Sequence, residues 1–150
     1  MDINRKQIEE AAESVYEPMV DFASRLVQAR SDTGKEKEVS EIIKAELEKL
    51  GFDEVVRDEV GNIIGVIKGT GGGPNIMFNC HMDQVDPGDL TAWEYEPFSG
   101  AVDNGYVHGR GASDTKGAIA TQVYAGVLLK NMGIRPAGVL IFTFVVEEEP

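Results

Sequence analysis

An α/β layered fold built on a mixed sheet is predicted by three features of the sequence. Helical and β-branched segments alternate along the chain. Hairpin-like strand pairs precede Cys80, which argues against a purely parallel sheet. The residues best suited to chemistry fall at the ends of predicted strands.

From Arg5 to Ala29 the residues favour helix, but Pro18 lacks the N–H that an interior turn uses, so two helical pieces are expected. Ser31-Asp32-Thr33-Gly34 reads as a loop. Val39, Ile42, Ile43, Leu47 and Leu50 then recur at helical spacing, Lys and Glu fill the other face, and Gly51 ends the helix. Val55 to Arg57 and Ile63 to Ile67 flank Asp58-Glu59-Val60-Gly61-Asn62, which predicts a strand, a turn and a strand. Gly69 to Pro74 reads as a flexible connection into a strand over Ile76 to Cys80. It is not a dinucleotide loop, because a strand rather than a helix follows it. His81 to Asn104 is loop-rich and leads through Tyr106-Val107-His108 into Gly109-Arg110-Gly111-Ala112-Ser113-Asp114. Gly117 to Asn131, rich in Ala, Ile, Val and Leu, predicts a largely buried helix, and Val139 to Val146 a core strand.

The 150 residues, 42% hydrophobic and 27% charged, are one domain's length. Fourteen Lys and Arg against 26 Asp and Glu leave a net charge of −12. That is the opposite of the basic stripe that nucleic acid or an anionic membrane attracts, so neither is an expected partner. The lone Cys80 excludes an intramolecular disulfide, and Met1 to Lys6 is polar where a signal peptide is apolar. No apolar run approaches the roughly 20 residues of a bilayer span. A cytoplasmic setting is expected.

His81 and Asp83 directly follow one predicted strand, Glu147 and Glu148 follow another, and Asp114 precedes a helix. Ligands of open α/β sheets bind beyond the carboxyl ends of the strands, so these three segments are expected to converge. One His with several carboxylates and no cysteine cluster suits zinc, manganese or cobalt. Taken singly each feature has a plainer reading: a strand-end His satisfied by a nearby acid, a helix N-cap at Asp114, a solvated Glu run. His108 reads as packed or exposed rather than as a ligand, Arg110 as paired with an acid, Trp93 and Phe98 as loop packing, and Asp86 and Asp89 as loop caps.

Together these residues resemble a known family. Cys80-His81-Met82-Asp83, then Trp93 with Pro97-Phe98, then Asp103-Asn104-Gly105, then Gly109 to Gly117, then Glu147-Glu148 after an apolar strand are similar to the dinuclear zinc peptidases and deacylases. These include acetylornithine deacetylase, succinyl-diaminopimelate desuccinylase, aminoacylase and the glutamate carboxypeptidases, and the nearest flavour is that of hydrolases associated with selenium metabolism. The resemblance implies an α/β/α layered catalytic domain. It makes His81 a ligand of one metal, Asp114 the carboxylate bridging two, Glu148 a ligand of the second, and Glu147 the general base that deprotonates a metal-bridging water. Asp83 would fix the His81 imidazole from behind. A one-residue shift, to Glu148 as base and Glu149 as ligand, is the alternative register. The resemblance also implies a cis peptide between Asp114 and Thr115, two divalent ions with zinc first and cobalt or manganese as substitutes, a small amide or peptide substrate, and a homodimer at full length.

Family members are longer and supply further on another acidic ligand, a final His, a substrate-carboxylate segment and a lid that often dimerises. Residues 1–150 are therefore expected to be the amino-terminal portion of a catalytic domain, inactive alone. The competing expectation is a catalytically incompetent fragment acting at most as a metal-binding or interaction module.

Overall fold

The computed structural model describes residues 3–150; Met1 and Asp2, part of the polar start noted above, lie outside them. Helix α1 (Arg5–Gln28) is opened by Asn4, whose side chain accepts the N–H of Gln7 while the Gln7 side chain accepts that of Asn4. The helix runs unbroken through Pro18, against the expected division into two. Val15, Phe22, Ala23 and Leu26 bury one stripe on both sides of the proline, whereas Pro18 itself is exposed, so the carbonyl it leaves unpaired at Ser14 faces water.

Helix α2 (Lys37–Lys49) follows, then the hairpin of β1 (Glu54–Arg57) and β2 (Ile63–Ile67), whose turn is held by Asp58 accepting the N–H groups of Val60, Gly61 and Asn62. Strand β3 (Ile76–His81) leads into the long loop, which carries the small hairpin of β4 (Ala101–Asp103) and β5 (Tyr106–His108). Helix α3 (Gly117–Asn131) and strand β6 (Leu140–Val145) complete the described elements.

The main sheet has the order β1-β2-β6-β3, antiparallel except for the β3–β6 pair, which is parallel. It is the mixed sheet the sequence predicts. Along β6, Leu140, Phe142 and Phe144 are buried and the alternating Ile141, Thr143 and Val145 are half-buried. The first set faces α2 and α3, with α1 packed on both, around a core of Phe22, Leu26, Ile43, Leu47, Ile63, Ile119 and Val123. Phe142 anchors that face, stacked on Phe78 at 5.3 Å and edge-on to Phe52 at 5.4 Å. Parallel pairing brings the carboxyl ends of β3 and β6 to the same edge, and that edge positions the site.

The Gly69 to Pro74 connection is tighter than expected. A Cβ at Gly69 would stand 1.9 Å from the Gly138 carbonyl oxygen, and one at Gly138 equally close to that of Pro74. These glycines let two backbones touch rather than make the loop loose.

Glu46, only 3% exposed, ties the three helices together: it accepts hydrogen bonds from Arg25 on α1 at 2.7 Å, Lys49 on α2 at 3.0 Å and the Tyr124 hydroxyl on α3 at 2.8 Å. Burial works against its charge, yet the bonds from Arg25, Tyr124 and Lys49 outweigh it and hold the carboxyl below its ordinary pKa. Burial, and then Glu46, push the Tyr124 hydroxyl up. Glu46→Ala leaves these donors without their acceptor; with Arg25 partly solvated, the expected loss is about 2–3 kcal/mol, or roughly 5–10 °C in Tm by scanning calorimetry. A folded pKa below the unfolded one stabilises above the unfolded value, near ~4.3, and that stabilisation disappears as pH falls through the folded value. The Tm gap between wild type and Glu46→Gln should therefore narrow on acidification below about pH 4; a gap constant with pH would remove Glu46 from this role.

Candidate metal centre

His81 is the last residue of β3, 8% exposed, and its ring is held from both sides. Nδ1 lies 3.1 Å from the Asp83 carbonyl oxygen and 3.4 Å from its carboxylate, while Nε2 lies 3.0 Å from Asp114 Oδ1 and 3.9 Å from Glu148 Oε2. The two-residue spacing thus puts both the carbonyl and the carboxylate of Asp83 within reach of one ring nitrogen and leaves the other free to face the cluster. Burial lowers the His81 pKa, but the Asp114 bond, the Asp83 carbonyl and the charges of Asp83 and Glu148 outweigh it and raise the imidazole above its ordinary value.

Asp114 lies in the irregular turn over 112–116 before α3, in extended conformation, and the Asp114–Thr115 peptide is cis, as the sequence resemblance implies. It caps no helix. Its side chain is 74% exposed, and the Thr115 hydroxyl donates to the His81 carbonyl at 3.0 Å, pinning the turn to the end of β3.

Asp83 is fully buried and does more than face the imidazole. Its carboxylate accepts the Glu148 N–H at 3.2 Å, the Glu149 N–H at 2.8 Å and the Thr33 hydroxyl at 3.1 Å, so it fixes the Glu run beyond β6 as well. Thr33 and Glu36 carry no sequence signal for this role. Glu36, 5% exposed, accepts the N–H groups of Gly34 and Glu147.

The three glutamates diverge. Glu147 has a left-handed φ of 56°, and its carboxylate lies beside Gly34. Glu148 turns toward His81, and Glu149 joins His81 and Asp114 in a cluster whose ligand atoms all lie within 4.8 Å of one another. One imidazole nitrogen and carboxylate oxygens, with the imidazole oriented from behind, fit a divalent cation that accepts mixed N/O donors.

The other chemically suggestive residues are not members of this cluster. His108 stacks on Tyr95 at 4.2 Å, with Nε2 3.3 Å from the Asp103 carbonyl oxygen. Arg110 lies over the Trp93 ring at 5.2 Å rather than against an acid, and the Trp93 indole donates to the Pro87 carbonyl. Asp86 and Asp89 cap turns by accepting the N–H groups of Gly88 and Thr91. Cys80 is buried, and burial pushes its thiol pKa up.

The chain is similar to known proteins in sequence and in fold. YgeY of Escherichia coli (strain K12), itself uncharacterized, is 37% identical over 145 residues, which is 96% of this chain and 35% of that protein. The succinyl-diaminopimelate desuccinylase of Blochmanniella pennsylvanica is 36% identical over 138 residues, covering 89% of this chain and 36% of the relative. The chain spans about a third of the length of these curated relatives. Among solved structures, the dipeptidase Dug1p of Saccharomyces cerevisiae shares the fold with a TM-score of 0.83 at 17% identity, over 95% of this chain and 34% of that one. YXEP of Bacillus subtilis, described as a dinuclear metal binding peptidase, matches with a TM-score of 0.68 at 20% identity, over 88% of this chain and 35% of that one. Residues 77–150, which include His81, Asp83, Asp114 and all three glutamates, match the profile of peptidase family M20/M25/M40. Profile, relatives and fold agree: residues 77–150 form part of a domain of peptidase family M20/M25/M40.

Proposed function

We propose that the chain supplies the catalytic residues for metal-dependent hydrolysis of an amide or peptide bond in a small substrate, an N-acyl amino acid or a short peptide. The observation that carries this reading is the convergence of His81, Asp114 and Glu149 at the shared carboxyl edge of β3 and β6. The names of two relatives, a desuccinylase and a dipeptidase, support amide-bearing substrates.

In this reading His81 would hold one ion, Glu149 a second, and Asp114 would serve both, with zinc the first choice and cobalt or manganese able to substitute. Bound there, the ions would supply Lewis acidity to a water and to the scissile carbonyl. Glu148 takes the proton of the attacking water and passes it to the departing amine, first as base and then as acid. Asp83 orients the imidazole and holds the backbone of the Glu run in place. This is the second register, one residue on from Glu147 as base and Glu148 as ligand. It is supported by the turn of Glu147 toward Gly34 and by the place of Glu149 in the cluster.

The length of the relatives supports the reading that residues 1–150 are part of a longer catalytic domain, which the family resemblance makes its amino-terminal portion, completed by a further acidic ligand, a final His and a lid. The exposed Ile76, Met77 and Phe78 on the edge strand β3 are consistent with that completion. A cytoplasmic homodimer follows the family resemblance. A charge of −12 makes nucleic acid a poor partner, and among the described residues no helix is long and apolar enough to cross a membrane.

The test is elemental analysis together with hydrolysis of a panel of N-acyl amino acids and dipeptides, for this chain and for the protein carried to the length of its relatives. Two ions and turnover in the longer protein are expected. Absence of metal and turnover from both would overturn the reading.

A further inference from the structure

Lys116 is fully buried, an unusual place for an ammonium group. Its Nζ donates to the Ala29 carbonyl at 2.8 Å and to the Gln84 side-chain oxygen, two uncharged acceptors, with no carboxylate in hydrogen-bond contact. A buried cation without a paired anion is costly, and an apolar side chain of similar volume would be easier to hold there. What the ammonium gains is placement: Ala29 caps the end of α1, Gln84 follows Asp83 beyond β3, and Lys116 itself stands two residues after Asp114.

The surroundings are built around this contact. The Gln84 N–H donates to the Ser31 carbonyl, and the Ser31 hydroxyl to that of Met82, so the segments after α1 and after β3 are already laced together. The Lys116 N–H donates to the Gly111 carbonyl at 2.9 Å. A Cβ at Gly111, where φ is 78°, would lie 3.1 Å from Gln84 Oε1 and 3.3 Å from Lys116 Cδ, so glycine there leaves room for the pair. The Gln84 Nε2 is buried without a partner, so only the oxygen of this amide is in use.

We propose that Lys116 is a positioning residue for the metal centre: by clamping the Asp114 turn to Gln84 and Ala29, it sets Asp114 against His81. The inference rests on the metallohydrolase reading above. Metal affinity and ligand geometry then depend on Lys116, which burial alone would not predict.

The test uses cobalt(II), with affinity measured by chelator competition and geometry by visible d–d absorption. Lys116→Met and Gln84→Met are each expected to weaken cobalt binding by about 10–100-fold and to alter the spectrum, while unfolding stays cooperative. Gln84→Glu keeps an oxygen for Lys116 and is expected to retain wild-type affinity and spectrum. If Lys116→Met does not fold, the two Gln84 variants decide, since neither removes the ammonium. Wild-type cobalt affinity and spectrum in Gln84→Met would overturn the inference, as would loss of binding in both Gln84 variants alike. A wild-type protein that takes up no cobalt would overturn the metal reading itself, an outcome distinct from these.

Discussion

Glu148→Gln is expected to lower kcat by about 10²–10⁴-fold while leaving metal content unchanged, and Glu147→Gln to leave both close to wild type. Glutamine has the shape of glutamate but cannot take a proton, so the substitution removes the acid–base function alone. The Glu148 side chain is 57% exposed, so its loss should not unfold the protein. Glu147, beside Gly34 and turned from His81, has no comparable access to a water at the cluster. Steady-state kinetics with elemental analysis of both variants, in the protein at its relatives' length, decides between the registers. Loss of turnover in Glu147→Gln with activity kept in Glu148→Gln would restore the first register.

Asp114→Ala is expected to weaken binding of divalent metal by at least about 100-fold, beyond what loss of an outer-shell partner causes. Asp114 is the one cluster carboxylate that approaches His81 Nε2 within hydrogen-bond distance, and its 74% exposed side chain makes that contact and no packing the fold depends on. Two consequences follow. Without metal, removing Asp114 relieves crowding with Glu148 and Glu149 but gives up its bond to His81 Nε2, so the variant should melt close to the wild-type temperature. With metal at 100 times the wild-type Kd, the wild type should gain about 2.7 kcal/mol and the variant no more than about 0.4 kcal/mol. Thermal melts with zinc and with chelator read both effects; equal stabilisation of wild type and variant by zinc would remove Asp114 from the ligand set.

Much of the fold was legible because it is written in periodicities. Val39, Ile43 and Leu47 mark the buried stripe of α2, the β-branched residues at 63–67 mark β2, and the apolar run at 140–145 marks β6. Pro18 misled because local propensity says nothing of which way a residue faces, and facing water is what makes it tolerable. The close approach at Gly69 and Gly138 was hidden because it joins segments far apart in sequence. The same holds at the centre. That His81, Asp83 and Asp114 would meet was legible from their place at strand and helix ends, whereas three identical glutamates carry no periodicity to tell them apart. Their division depends on the left-handed turn at Glu147 and on Asp83 gripping the two N–H groups after it. Lys116 was equally invisible, since a lysine before a helix reads as a solvated charge.

The parallel pairing of β3 with β6 also governs when the centre can exist during folding. Two hairpins of this chain form from neighbours in sequence, but β3 meets β6 only after the whole stretch from Met82 to Val139 has been drawn into a crossover. Such non-local pairing forms late, because its loop-closure entropy must be met before any contact compensates for it. His81 stands at one end of that crossover, Asp114 within it and Glu149 past its far end. No partly folded state lacking the β3–β6 ladder holds the three together, so the cluster is a product of the completed topology rather than of any local segment.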